Sequence, residues 1–221
     1  MTTDHTAPGP IDTLLASISA LRAQIMRQLA ADGVVWVAEA DLPEFWLAVF
    51  NDRHPGSPRQ YRHDGAPMIS AAALLAFLRD IDMLVALHAV GLDIDRPPEP
   101  HIDIPILDDW MPVVLSGNSD ELALLGTVIR HPRLRDGRTI VTSNLAALHP
   151  DRDLARTMSR WYRLRDESNL AKLRGRPDVA VRPGTRQATD MEVRQMMMEL
   201  RYKVSEATGY LVRYGFIGTE I

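Results

Sequence analysis

The chain contains no cysteine, only two lysines and no long uninterrupted apolar run. Without cysteine it can form no disulfide, thiolate metal site or cysteine nucleophile, and a reducing compartment is the simplest setting. The first ten residues lack the basic region and the apolar run of a signal peptide. The most apolar stretch, 71–90, is interrupted by Arg79, Asp80, Asp82 and His88. We therefore expect a cytoplasmic protein that does not enter a membrane.

The sequence motifs of common catalytic sites are missing as well. Neither of the glycine-rich phosphate loops, G-x-x-x-x-G-K-[ST] and G-x-G-x-x-G, occurs in the chain. No G-x-S-x-G elbow is present, and Ser143 beside Thr142 is better explained as a strand residue that hydrogen-bonds locally. A turn-rich loop, 51–67, holds His54 and His63, but no recognised metal-ligand spacing is matched. We expect no metal ion and no cofactor.

The charge of the chain is distributed unevenly. The net charge is -4, yet residues 130–182 hold 13 Lys or Arg against 6 Asp or Glu. A cationic region can collect contacts with a phosphate backbone, and an acidic remainder limits indiscriminate binding. The alternative is that the arginines reflect coding bias, because 23 of the 25 basic residues are arginine.

Helical spacing dominates the N-terminal half. Apolar residues recur every three or four positions in 11–25 and in 74–88, with Gly33 and Gly91 as stop signals. A brief helix after Asp41 places large apolar residues toward the interior. At 221 residues, 46% of them hydrophobic, the chain can bury a full core.

The last helix begins with Thr189 and Glu192 in capping-box spacing. An apolar seam follows, formed by Val193, Met197, Leu200, Val204 and Leu211. Such a seam suits either packing within the chain or a homodimer, and the spacing leaves both open.

Between 121 and 164 the spacing becomes that of strands. Three β-compatible runs, 124–129, 139–145 and 156–164, are separated by turn-rich segments. We predict an α+β fold with amphipathic helices at both ends, packed around or beside a small antiparallel β-meander or barrel-like module. The expected organisation is a disordered tail (1–9), a helical domain (10–91), an extended connection (92–120), the β module (121–164), a basic linker (165–188) and a C-terminal helix (189–221).

The β segment follows the pattern G-x-x-x-x-HPRL-x-DG-x-x-I-x-TS, then a short acidic turn, then ART-x-SR-x-Y-x-L. The matching residues are Gly126, His131, Pro132, Arg133, Leu134, Asp136, Gly137, Ile140, Thr142, Ser143, Ala155, Arg156, Thr157, Ser159, Arg160, Tyr162 and Leu164. This pattern resembles that of an uncharacterised bacterial family, a domain of unknown function, over about residues 107–164. The resemblance implies a β module and carries over no catalytic residue.

Residues 156–163 combine guanidinium groups with aromatic rings. On a strand, Arg160 and Tyr162 share one face, while Trp161 and Arg163 share the other. Such a face can bind phosphate and stack a base. The predicted nucleic-acid or anion-binding residues are Arg133, Arg135, Arg138, Arg156, Arg160, Trp161, Tyr162 and Arg163. The alternative is that the rings belong to the core and the arginines pair with nearby acidic residues.

Three functions of different classes follow from these patterns. The first is a non-enzymatic regulatory or accessory protein whose arginine-rich β module and basic linker contact DNA or RNA. The second is a protein-interaction, adaptor or inhibitor protein that acts through its C-terminal helix and dimerisation. The third is a hydrolase built around His131, Asp136 and His149, provided that the hairpins bring them together. The first two are favoured.

Overall fold

The computed structural model of the protein describes residues 9–32, 36–55, 61–99, 103–115, 121–149, 151, 153–174 and 183–218. The elements in these residues are α1 (Pro10–Asp32), β1 (Trp36–Ala38), a 3-10 turn (Glu39–Asp41), α2 (Glu44–Arg53), β2 (Tyr61–His63), β3 (Ala66–Ser70), α3 (Ala71–Asp95), β4 (Ile106–Leu115), β5 (Glu121–Ile129), β6 (Thr139–Val141), β7 (Leu145–His149), β8 (Leu154–Thr157), β9 (Trp161–Leu164), α4 (Leu170–Arg174), β10 (Arg186–Gln187) and α5 (Asp190–Arg213). The predicted α+β class, with helices toward both ends, is confirmed. The predicted tail lies almost entirely outside the described residues.

The chain divides into two compact units. Unit 1 comprises Met1–Ala86 and Ala207–Ile221, and unit 2 comprises Leu87–Glu206. The boundaries fall inside α3 and α5. In the described parts of both units, no helix combines the length and the apolar character needed to cross a bilayer.

Unit 1 packs α1, α2 and α3 around aromatic side chains. Trp46 and Phe50 on α2 contact Phe77 on α3, with ring centroids 6.0 and 5.4 Å apart. The indole N–H of Trp46 donates to Ser17 Oγ on α1 at 3.0 Å, so its polar edge is satisfied inside the core. The buried face of α1 is formed by Leu14, Ile18, Leu21 and Ile25. The three- and four-residue spacing of the sequence predicts these buried faces.

A hairpin occupies part of the segment 51–67, where the sequence predicts only a loop. Strands β2 and β3 are joined by Asp64 and Gly65, whose φ angles are 49° and 82°. β3 also pairs with β1, which gives the sheet order β1-β3-β2. The loop prediction is wrong here because β2 has only three residues, too few to show an alternating pattern.

Unit 2 is built on a sheet with the strand order β6-β5-β4-β9-β8-β7, to which β10 adds by pairing with β4. Its pairs are antiparallel except for β4 and β9, which run parallel. The strands at the two ends of this order, β6 and β7, are consecutive in the chain and are joined by residues 142–144. The sheet is not a closed barrel. It has seven strands, whereas the sequence predicts a meander of three.

The segment 92–120, predicted as an extended connection, contains the central strand β4. Leu107, Trp110 and Val114 pack on one face of the sheet, and Met111 and Val113 pack on the other. A strand buried on both faces loses the alternation of apolar and polar residues. The register also shifts between Asp108 and Met111, which disguises the strand further.

The described part of the predicted basic linker contains regular secondary structure. It contains α4 and β10, and β10 pairs with β4 through Arg186 and Val114. Residues 175–182 of this linker lie outside the described residues. The sequence predicts a linker here because the segment is rich in glycine, proline and charged residues, and a strand of only two residues adds no recognisable pattern.

The predicted capping box at the start of α5 is confirmed. The Thr189 backbone N–H donates to Glu192 Oε2 at 2.9 Å, and the Glu192 backbone N–H donates to Thr189 Oγ1 at 3.3 Å. The pKa of Glu192 is lowered to about 2, first by hydrogen bonds from Arg186 and then by those from Thr189. The start of α5 is therefore fixed by paired polar contacts.

The predicted apolar seam of α5 is used within the chain. In unit 2, Val193 is 8% exposed, and Met197 and Leu200 pack against the cluster formed by Val90, Ile94, Ala146 and Ala147. In unit 1, Leu211 is fully buried. A coiled-coil dimer through this seam would have to break these contacts, so the seam is a core feature.

Gly91 lies inside α3 and does not end it, because the helix continues to Asp95. A Cβ at this position would overlap Cγ1 of Val204 on α5. The missing side chain therefore permits a close approach between two helical segments of unit 2.

We predict that G91A lowers the free energy of unfolding by about 1–3 kcal/mol, because the added methyl overlaps Val204. This loss opposes the helix propensity that alanine adds. G209A is the control, since nothing lies within 4 Å of its added Cβ, and it should stabilise by about 0.5–1 kcal/mol. Chemical denaturation measures both. In the double variant G91A/V204A the two losses should not add, and strict additivity would contradict the proposed overlap.

A buried arginine ties β8 to α3 within unit 2. Arg156 Nε and Nη2 donate to Asp93 Oδ2 at 3.1 and 2.8 Å, and Nη1 donates to the Thr157 carbonyl oxygen. The Arg156 side chain is 9% exposed, whereas that of Asp93 is 51% exposed. The guanidinium is thus desolvated and is compensated by a carboxylate that is itself half-exposed.

We predict that Arg156→Met lowers the free energy of unfolding by about 1–3 kcal/mol, because it removes charge-assisted hydrogen bonds from a buried position. Arg160 forms no ion pair in the described residues. Arg160→Met should therefore change the free energy of unfolding by less than about 0.5 kcal/mol. The Arg156→Met/Asp93→Asn double variant should show coupling in denaturation experiments. Purely additive losses would mean that the pair does not act as one interaction.

Candidate functional site

The hairpin loop between β5 and β6, residues 130–138, is held in one conformation by local hydrogen bonds. The Arg130 backbone N–H donates to Asp136 Oδ1 at 2.7 Å. The Gly137 N–H donates to the Val128 carbonyl at 2.9 Å, with Gly137 at a φ of 82° that favours glycine. Leu134 packs against the core of unit 2. The loop is therefore anchored on both sides.

This ordered loop presents arginines to solvent. Arg130, Arg133, Arg135 and Arg138 are all exposed, and Arg160 is half-buried. We refer to these five residues as the cationic patch. Within the described part of the chain, none of their guanidinium groups forms an ion pair with a carboxylate. The loop's one acidic residue, Asp136, already accepts the Arg130 N–H.

His131 shows that Arg133 and Arg160 converge. The pKa of His131 is lowered first by burial and then by the charges of Arg160 and Arg133. Its Nδ1 accepts the Arg133 backbone N–H at 3.2 Å, which fits a neutral imidazole with the proton on Nε2. Because His131 is then uncharged at neutral pH, the charge of the patch comes from arginine alone.

The aromatic residues of the predicted site are less available than the arginines. Tyr162 is 3% exposed, and the His131 ring stacks on it with centroids 6.4 Å apart. Burial raises the pKa of Tyr162. Trp161 stacks with His149 at 5.9 Å, on the opposite face of β9. A stacking platform for bases is therefore not presented by Tyr162.

The structure separates the remaining predicted arginines from the patch. Arg156 is buried against Asp93. Arg163 lies on the same face of β9 as Trp161, opposite to Tyr162. Of the predicted anion-binding set, Arg133, Arg135, Arg138 and Arg160 are the members that form part of the patch.

The residues of the hydrolase hypothesis are not brought together. His131 and His149 stack on neighbouring residues that point to opposite faces of β9. The carboxylate of Asp136 accepts a backbone N–H within its own loop. The two histidines therefore do not face a common reaction site.

The hydroxyl groups of the sequence pattern have a structural explanation. Thr142 Oγ1 accepts the Leu124 backbone N–H at 3.0 Å. Ser143 Oγ lies 3.1 Å from Thr157 Oγ1 and 2.9 Å from Ser159 Oγ. These contacts fasten the link between β6 and β7 to β5 and β8. The expectation that Ser143 is a strand residue with local hydrogen bonds is wrong, because Ser143 lies between two strands and bonds to residues 14 and 16 positions away.

The described residues of the histidine-containing segment in unit 1 have other contacts. Asp52 accepts hydrogen bonds from Arg213 and from the Tyr214 hydroxyl. The His54 ring packs against Phe50 with centroids 5.0 Å apart. Across the described ranges, no group of three or more metal-ligating side chains gathers in one place.

Unit 2 contains a groove of about 600 Å³ that no pattern in the sequence predicts. We call it the α5 groove, and its lining residues are Trp110, Pro112, Leu148, Glu167, Asp190, Val193, Arg194, Met197, Met198 and Arg201. These residues come from β4, β7, α5 and the segment after β9. No local pattern could reveal them, because the groove forms only when the strands and α5 pack together.

No curated protein and no solved structure matches the chain. A family model matches residues 81–180, a span that begins in α3, contains the strands from β4 to β9 and ends beyond α4. The span includes the hairpin loop and Arg160, and the match confirms the resemblance to an uncharacterised domain that the β segment predicts. By this match, residues 81–180 are similar to the Family of unknown function (DUF6634).

Proposed function

We propose that this chain is a non-enzymatic regulatory or accessory protein of the cytoplasm that binds DNA or RNA through the cationic patch of unit 2. The observation that carries the proposal is that four exposed arginines share one ordered hairpin loop, with Arg133 and Arg160 both acting electrostatically on His131 and no carboxylate partner for any of the five in the described residues. Like charges held close together repel one another, and a polyanion would relieve that repulsion.

The order of the loop favours binding. Since Asp136 and Gly137 fix the hairpin, little conformational freedom remains to be lost when a ligand binds. Arginine also suits phosphate, because its planar guanidinium donates two parallel hydrogen bonds to phosphate oxygens. The patch therefore has both the charge and the rigidity that backbone recognition needs.

The chemistry of the patch favours phosphate contacts over base reading. Tyr162 is buried beneath His131, which leaves guanidinium groups as the exposed functional groups. Contacts with phosphates position a nucleic acid but do not read its sequence. We expect affinity that depends little on sequence and that falls steeply with salt.

Fluorescence-anisotropy titrations of the full chain with generic duplex DNA and single-stranded RNA, over a salt series, test this proposal. Micromolar binding is expected, with the logarithm of the affinity falling linearly with the logarithm of salt concentration. The variant Arg133→Gln/Arg138→Gln should reduce the slope by up to about 2. The matched control is Arg27→Gln/Arg79→Gln, which removes two exposed arginines of unit 1.

The control variant should bind as the parent does. Absence of binding at low salt, or an equal loss of affinity in both variants, would overturn the proposal. A slope unchanged by the patch substitutions would also overturn it, because the patch arginines would then make no phosphate contacts.

A second candidate function is self-association through the outer face of α5. Met191, Met198 and Tyr202 are 76, 65 and 65% exposed and lie seven and four positions apart, which places them on one stripe of the helix. Two antiparallel copies of the stripe would be self-complementary, as a two-fold dimer requires. This pairing would also bring Asp190 of one copy toward Lys203 of the other.

For this candidate, light scattering of the full chain should show a dimer that persists in high salt, because the stripe is apolar. Met191→Glu/Tyr202→Gln should shift the mass to that of a monomer. Ser205→Glu, an exposed substitution on the same helix, should leave the mass unchanged. A monomeric parent protein at high concentration would rule out the dimer.

A further inference from the structure

We infer that the α5 groove binds a small amphipathic anion, a molecule with an apolar body and a single carboxylate. This inference goes beyond nucleic-acid binding, because none of the lining residues belongs to the cationic patch. The volume of about 600 Å³ lies within the roughly 300–1,000 Å³ that small-molecule sites occupy.

The apolar part of the lining selects the body of the ligand. Trp110 is 8% exposed, and its indole N–H already donates to the Arg165 carbonyl at 3.3 Å. Pro112 has no backbone N–H, and its carbonyl accepts the Ala188 N–H at 3.0 Å. Leu148 adds hydrocarbon to this side, and Glu167, beside Trp110, is its one charged residue. Against Trp110, Pro112 and Leu148 a polar body would leave its hydrogen-bonding groups without partners, whereas an apolar body makes favourable contacts.

The opposite wall comes from one face of α5. Val193, Met197 and Met198 supply apolar and adaptable contacts, since methionine changes shape at little cost. Such a wall accepts alkyl and aryl bodies of different outlines. It does not by itself explain why an anion would bind.

Two guanidinium groups on the same wall supply the charge. Arg194 and Arg201 are seven residues apart, so they lie on one face of α5 about two turns from each other. Both are exposed, and neither forms an ion pair in the described residues. Asp190 is one turn from Arg194 and offsets its charge, whereas it lies about 16 Å along the helix from Arg201.

The electrostatic potential therefore changes along the groove, from negative at one end to positive at the other. Asp190 lines its wall at the first turn of α5, and Arg201 lines it near the opposite end. Glu167, whose backbone bridges to Trp110, adds a second carboxylate away from α5. A ligand carboxylate would be repelled near Asp190 and Glu167 and bound near Arg201. Arg201 is the anchor for the head group, and the ligand body extends along Met197 toward Trp110.

Isothermal titration of the full chain with sodium decanoate, below its micelle concentration, tests the inference. The matched probes are decanol and decylamine, which keep the body but remove or reverse the charge. Decanoate should bind at least about tenfold more tightly than either, because charge-assisted hydrogen bonds form only with the anion. The tryptophan fluorescence of the protein should change on binding, and Trp110→Phe should diminish that change.

Arg201→Gln should weaken decanoate binding roughly tenfold and leave decanol binding unchanged. Lys203→Gln is the control, an exposed cation on the same helix that does not line the groove. Thermal unfolding of each variant without ligand verifies that the fold is retained, as expected for exposed positions. Equal binding of decanoate and decanol, no decanoate binding, or equal losses in the two variants would each overturn the inference.

The test separates this site from the cationic patch. Arg133→Gln/Arg138→Gln should bind decanoate as the parent does, and Arg201→Gln should keep the parent's affinity for nucleic acid. Loss of decanoate binding in the patch variant would place the anion site on the hairpin and overturn the groove assignment.

Discussion

Unit 2 depends on the backbone pairing of β4, which exchanges partners along its length. β5 pairs with it on one side throughout, while the other side pairs with β9 near Ile106 and with β10 near Val114. The bulge after Asp108 separates these two regions. The hairpin loop, Arg160 and the α5 groove are all positioned through this strand. β5 carries the hairpin loop, β9 follows Arg160, and Trp110 of β4 itself lines the groove.

The two proposed sites illustrate different ways in which the fold uses arginine. Arg156 is desolvated, so it needs Asp93 and contributes to the fold. The hairpin arginines keep their hydration and make no ion pair in the described residues, so their charge remains available to a ligand. Composition alone does not separate these roles, because both kinds of arginine occur in one short segment of the sequence.

The sequence predicts the parts of the structure that depend on local chemistry. The helix faces of α1 and α3 follow from apolar spacing, and the start of α5 follows from Thr189 and Glu192. The convergence of Arg133 and Arg160 follows in part from strand geometry, although Tyr162 proves to be buried. β4, the contact of Gly91 with Val204 and the α5 groove depend on partners distant in the chain. The residues that make such contacts are too far apart in the chain for any short stretch of sequence to reveal them.

The link between β6 and β7 has a consequence for the behaviour of the chain at high concentration. An exposed sheet edge can recruit a strand from another molecule, and this is a common route to aggregation. Here the end strands β6 and β7 have only three and five residues, and Ser143 fastens the turn between them to Thr157 and Ser159. A sheet curled back on itself in this way offers a neighbouring molecule little edge on which to grow. The hydroxyl groups of Ser143, Thr157 and Ser159 thus help the sheet to resist intermolecular strand pairing.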